Sequence, residues 1–129
     1  MKNIIILGLL SLTILSCEES TDESIDTPEV TLESLKAMRN EIIAIAESET
    51  CEDSADWKWT AFGFKACGGP EGYLAYSTAI DESAFLKKVS DYTTAKEKYD
   101  IENNLASDCR LEIEPKGIIC KEGEPVFTY

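Results

Sequence analysis

Histidine is absent from this chain. That removes the side chain that most often serves as a general base and metal ligand near neutral pH. Ser-His-Asp and Cys-His nucleophile pairs go with it. No two cysteines stand in the Cys-x2-Cys spacing that favours an all-cysteine zinc site. Basic residues are scarce, twelve against twenty-five acidic ones, for a formal charge of −13. Phosphates would be repelled, so nucleic acid is not expected as a partner. Broad contact with anionic lipid is disfavoured in the same way. Long apolar runs are also lacking. The one from Ile4 to Leu15 is interrupted by Gly8, Ser11 and Thr13, and it is shorter than the ~20 residues that span a bilayer. Gly68-Gly69-Pro70 lacks the Gly-Lys-Ser/Thr ending of a phosphate loop. Glu52, Asp53 and Asp56 do not match a calcium-binding loop. No cofactor and no metal are expected.

What is present begins with Met1-Lys2-Asn3, which carries one positive charge ahead of that apolar run. The order of charged start, short apolar stretch and small residue is that of a secretory signal. The stretch ends in Ile14-Leu15-Ser16-Cys17. This resembles the lipobox of bacterial lipoproteins: an aliphatic residue, a variable one, a small one, then cysteine. The resemblance covers the first seventeen residues. It implies that Cys17 receives a diacylglyceryl group, that residues 1–16 are removed, and that the new amino group is acylated, with palmitate-type chains. Each buried methylene adds about 0.8 kcal/mol, and two or three chains make release very slow. The implied location is the cell envelope, lipid-anchored, with Glu18 compatible with sorting to an outer membrane and a periplasmic or surface-exposed position.

Cysteine parity agrees. Five cysteines leave one unpaired in an oxidising compartment. If Cys17 is lipidated, Cys51, Cys67, Cys109 and Cys120 remain and can pair completely. Locality favours Cys51–Cys67 and Cys109–Cys120 among the three pairings, each worth about 3 kcal/mol in the chain-entropy account. Spacing alone does not exclude long-range pairs.

Residues 17–30 carry the lipidated cysteine and then Glu-Glu-Ser-Thr-Asp-Glu-Ser-Ile-Asp-Thr-Pro-Glu-Val, with six carboxylates and no base. This composition cannot bury enough surface to offset its ordering entropy. It reads as a disordered tether reaching roughly 20 Å. Residues 31–129 then read as a single α+β domain. Thr31 is an N-cap. Leu35, Met38, Ile42 and Ile45 form the stripe of an amphipathic helix from about Leu32 to Glu49. Trp57 to Phe62 alternates as a strand, with Gly63 a bulge candidate and the alternation running on less clearly through Cys67. Gly68 to Gly72 is a turn, and Tyr73 to Ser77 is the returning strand. Asp81 caps a second helix over about Glu82 to Asn103, marked by Phe85, Leu86, Val89, Tyr92 and Tyr99. Asp108 to Glu114 alternates as a strand with Leu111 and Ile113 facing inward. Ile118 to Cys120 and Pro125 to Tyr129 complete a C-terminal meander. The expected architecture is two amphipathic helices packed on a small antiparallel sheet, hairpin plus meander, stapled by disulfides.

The candidate ligand-binding residues are Trp57, Trp59, Gly68, Gly69, Pro70, Tyr73 and Tyr76. Trp and Tyr supply much of the energy at interfaces, aromatic faces also stack on sugars, and a glycine tip braced beside Cys67 would be preorganised. The ordinary alternative is that most of these aromatics are core and the tip only a turn. The order of Trp-rich strand, Cys-Gly-Gly-Pro, helix, Ser-Asp-Cys and late cysteine resembles small exported four-cysteine lipoproteins of uncharacterised function, and it transfers no activity. The expected function is therefore a displayed binding module for an extracytoplasmic protein or glycan, including the inhibition of a hydrolase. A structural or accessory subunit of an envelope complex is the alternative. A small hydrolase working through two carboxylates is a further reading, weakened by the shortage of catalytic groups.

Overall fold

The computed structural model describes residues 29–129. The lipobox, Cys17 and the tether as far as Pro28 lie outside the described residues. Within them the order is α1 (Leu32–Ala46), a short 3-10 turn (Ser54–Asp56), β1 (Trp57–Phe62), β2 (Gly72–Ser77), α2 (Glu82–Glu102), β3 (Gly117–Lys121) and β4 (Glu124–Thr128). The α+β architecture with two disulfides is the expected one. Its strands form two separate two-stranded antiparallel sheets, β1–β2 and β3–β4. None of the described helices is long and apolar enough to cross a membrane.

α1 starts in a capping box. The Ser34 N–H donates to Thr31 Oγ1 at 3.1 Å, and the Thr31 N–H donates to Ser34 Oγ at 3.0 Å, which satisfies donors that a helix start leaves open. Val30, assigned to the tether by composition, packs against the core. It stands just before the cap, where a hydrophobic staple closes on the fourth helical residue, here Leu35. α1 ends at Ala46, short of Glu49, because the apolar stripe stops there. The Ser48 hydroxyl then takes the Ile45 carbonyl at 2.8 Å. α2 is capped by Asp81, whose Oδ1 accepts from the Ala84 N–H at 3.0 Å. It stops at Asn103–Asn104, where Asn104 turns to φ 50°.

β1 and β2 pair from Trp57 opposite Ser77 to Phe62 opposite Gly72. Strand pleating sends alternate side chains to opposite faces. Phe62, Leu74 and Tyr76 join Leu35, Ile42, Ala46, Phe85, Val89 and Tyr92 in one hydrophobic core between this hairpin and the two helices. Phe62 stacks on Tyr92 with ring centroids 4.9 Å apart. Trp57, Trp59 and Tyr73 fall on the other face. β3 and β4 are joined by Glu122-Gly123, both at positive φ, 55° and 87°. That is the twist-matched two-residue hairpin loop.

Two expectations are corrected. The disulfides are Cys51–Cys120 and Cys67–Cys109, with Cα separations of 5.3 and 5.1 Å. The local pairs Cys51–Cys67 and Cys109–Cys120 do not form. Cys51 lies in the connection after α1 and meets the β3–β4 hairpin, its N–H donating to Gly123 O at 2.7 Å. Cys67 sits in the β1–β2 connection against the segment after α2. The second correction concerns Asp108 to Glu114, which is not a strand, and Leu111 and Ile113, which face outward at 82 % and 69 % exposure. Lys65 explains both. Its ammonium, with only 11 % of the side chain exposed, lies 2.8 Å from Glu112 Oε1 and 3.2 Å from Asp108 Oδ1 and donates to the Arg110 carbonyl at 2.8 Å. A covered cation has to be paired. Glu112 therefore points in, and with a period of two its neighbours at 111 and 113 point out.

Candidate functional site

The β1–β2 connection is a closed loop built around Lys65. Its N–H donates to Gly69 O at 3.0 Å, the Gly68 N–H returns to Lys65 O at 2.8 Å, and the Glu71 N–H reaches Phe62 O at 2.9 Å. Gly68 and Gly69 hold φ of 94° and 84° in open space at the tip, a backbone region that glycine enters without a Cβ penalty. The Cys67 N–H donates to Ser107 Oγ at 3.2 Å beside the Cys67–Cys109 disulfide. Tip and strap, residues 105–116, are thus fastened by one disulfide, one side-chain cation and one backbone donor.

Electrostatics strengthen that clasp. Its hydrogen bond to Glu112, followed by Asp108, raises the Lys65 pKa above the ordinary lysine value, against the opposing effect of burial. The same bond to Lys65 holds Glu112 below the usual carboxylate range. Asp108 is lowered first by the Arg110 N–H and then by Lys65.

With the strap held this way, Leu111 and Ile113 lie beside Tyr73 of β2 and Phe127 and Tyr129 at the C-terminus. Together they line a shallow cleft of about 370 Å³. Tyr129 is 64 % exposed. Large side chains on neighbouring elements leave an apolar surface uncovered, the kind of surface that marks a protein-binding region.

The residues expected to bind a ligand separate here. Tyr73 belongs to this surface, half-buried at its edge. Gly68 and Gly69 are exposed at the braced tip, and Pro70 is half-buried behind it. Trp59 is half-buried on the same sheet face as Tyr73. Tyr76 is a core residue, 3 % exposed, and Trp57 is buried at 6 % on the opposite sheet face, beneath the C-terminal hairpin. Tyr76 spends its hydroxyl on Glu82 Oε1 at 2.9 Å. Its pKa is pushed up to about 12, by burial first and then by the Glu82 bond and charge. Leu111, Ile113, Phe127 and Tyr129 were not in the expected set. The signal available for the first two was the alternation of residues 110–114, whose polar members could equally have been the inward ones.

A cleft of about 630 Å³ beside Trp57 is lined by Glu49, Glu52, Asp53 and Asp56 with no base. Among the described residues, no group of three or more carboxylates or cysteines is arranged to hold a metal ion. No family model, no curated protein and no solved structure matches this chain.

Proposed function

We propose that this chain is a lipid-anchored envelope lipoprotein, and that its stapled globule is a binding module for an extracytoplasmic protein, engaged through Tyr73, Leu111, Ile113, Phe127 and Tyr129. The observation that carries the reading is the outward turn of Leu111 and Ile113, 82 % and 69 % exposed, beside exposed Tyr129. Solvating apolar groups of this size is unfavourable by about 25 cal/mol per Å². A partner that covers them recovers that free energy. Because a disulfide and the Lys65 clasp already order the strap, little entropy is lost on contact. The anchor rests on the lipobox resemblance at Ile14 to Cys17 and on the even number of cysteines left once Cys17 is set aside. Both disulfides fit an oxidising compartment.

Site-directed photocrosslinking in intact cells tests the surface. A crosslinker placed at Leu111 gives a discrete heterologous adduct, and one at exposed Lys87 on α2 gives none. Ile113→Ser abolishes the Leu111 adduct while leaving the fold intact. Equal adducts from both positions, or none from either, refute the proposed surface. Intact-mass measurement of the native product tests the anchor: residues 1–16 still attached and an unmodified Cys17 thiol overturn it.

A further inference from the structure

A second cleft lies away from that surface, between the N-terminal half of α1 and the C-terminal half of α2. It measures about 550 Å³, within the range of small-molecule sites. Leu32, Leu35, Tyr99 and Leu105 give it apolar walls. Its inner polar group is a shared pairing. Lys96 Nζ lies 2.5 Å from Asp100 Oδ2 and 3.4 Å from Glu71 Oε1, and the Tyr92 hydroxyl donates to Glu71 Oε2 at 3.5 Å. One ammonium thus serves two carboxylates, and Arg39 approaches the Tyr92 hydroxyl beside them.

Asp100 is 4 % exposed, and its Oδ1 has no hydrogen-bond partner among the described residues. Leaving a buried acceptor without a donor is unfavourable. Lys36 and Arg39 line the cleft three residues apart on α1, on neighbouring turns. Neither has a carboxylate partner among the described residues. The Arg39 guanidinium is steadied over the Phe62 ring, 5.6 Å from its centroid. In a chain with a formal charge of −13, one cleft with apolar walls thus gathers two cations without a carboxylate partner among the described residues and a buried carboxylate oxygen without a donor.

We propose that this cleft binds a small zwitterion with an aliphatic body, a free amino acid or a dipeptide. Its ammonium donates to Asp100 Oδ1, its carboxylate lies against Lys36 and Arg39, and its side chain packs on Leu35, Tyr99 and Leu105. Oδ1 is buried, so entry requires a side chain to move aside. Leu105, 45 % exposed just beyond the end of α2, is the wall residue with room to do so.

The test is a nuclear magnetic resonance titration of the full chain in detergent micelles with L-leucine and L-leucyl-L-leucine, which separate the single residue from the dipeptide. N-acetyl-L-leucine lacks the ammonium, and L-leucinamide lacks the carboxylate. At least one of the two zwitterions gives saturable shifts at Arg39, Tyr99 and Asp100, and each control binds at least about tenfold more weakly, the loss of one charged contact. Arg39→Gln weakens the zwitterion about tenfold and leaves leucinamide unchanged. Asp100→Asn weakens the zwitterion and leaves N-acetyl-leucine unchanged; if that variant does not fold, Arg39→Gln and the two controls still decide. Saturation by neither zwitterion below about 10 mM, or equal binding by the controls, overturns the proposal.

Discussion

Removing the Cys51–Cys120 bond should detach the C-terminal hairpin without unfolding the rest. The hydrophobic core and the residues packed on it run from Val30 to Tyr99, and β3 and β4 contribute none of them. The hairpin is held by the disulfide, by the Cys51 N–H to Gly123 O bond of 2.7 Å, and by the half-buried Pro125 and Phe127 beside Trp57. The bond closes a loop with a sequence separation of 69, for which the chain-entropy account gives about 4 kcal/mol. Partial burial of two side chains and one backbone bond do not replace that amount. In Cys51→Ala/Cys120→Ala, with Cys67–Cys109 intact, hydrogen exchange of Ile118 to Lys121 and Val126 to Thr128 should quicken about a thousandfold, the exchange equivalent of 4 kcal/mol. Amides of α1, α2, β1 and β2 should keep their protection. Trp57 emission should shift to the red as its cover leaves. Equal loss of protection in α1 and β3 would show one cooperative unit and refute the reasoning, as would an unchanged hairpin. Non-reducing peptide mapping that joined Cys51 to Cys67 would remove its premise.

Three further outcomes follow from the same contacts. Ile42→Ala, at a site 1 % exposed in the core, should lower unfolding free energy by about 2–5 kcal/mol, as read by urea denaturation. Gly63→Ala should destabilise more than Gly69→Ala. Both glycines hold positive φ, but a Cβ at Gly63 would stand 2.5 Å from Glu71 Oε2, and at Gly69 it meets open space; comparable midpoint shifts would contradict this. The third outcome concerns pH. The phenols of Tyr76 and Tyr92 are pushed up to about 12, chiefly by burial, whereas an unfolded tyrosine ionises near 10. The folded state binds those protons more tightly, so this contribution is complete below pH ~10 and is lost as pH rises toward about 12. Phenolate absorbance should show a late fraction appearing together with loss of helical circular dichroism. Smooth ionisation of every tyrosine with the dichroism unchanged would refute it.

Much of the fold could be read locally. Thr31 and Asp81 cap their helices through groups within three residues of themselves. The Glu122-Gly123 loop fixes its own hairpin through two positive φ angles. β1 and β2 were marked by alternation and by the glycine-rich turn between them. What could not be read was decided by partners far away in the chain. The disulfide pairing depends on where β3 lands relative to the end of α1, at a sequence separation of 69. The direction of residues 111–113 depends on Lys65, which meets Glu112 at a separation of 47. Asp100 looks like any surface acid on an amphipathic helix until Leu35, Tyr99 and Leu105 close around it. A helical pattern shows which face turns inward and says nothing of which polar group is enclosed at its end.

The Lys65 clasp joins these misreadings into one physical account. An alternating Arg-Leu-Glu-Ile-Glu segment has two solutions of nearly equal pattern quality, apolar side in or acidic side in. The largely covered ammonium on the neighbouring loop breaks the tie, because a cation drawn out of water needs carboxylate partners more than two aliphatic side chains need cover. The Cys67–Cys109 bond then holds the strap in that register, so Leu111 and Ile113 stay exposed even though water is a poor environment for them. The pH dependence of the clasp follows from the shifts themselves. Glu112 and Asp108 sit below their ordinary values, so their stabilising contribution is complete above the usual carboxylate range and is lost as pH falls through the lowered values. Lys65 sits above its ordinary value, so its contribution is complete below the usual lysine range and is lost only as pH rises through the raised one. The outward face of the strap is therefore held by charge pairing across the whole neutral range, and once pH has fallen through the lowered carboxylate values it is held by the disulfide, the Cys67 N–H to Ser107 bond and the Lys65 bond to the Arg110 carbonyl.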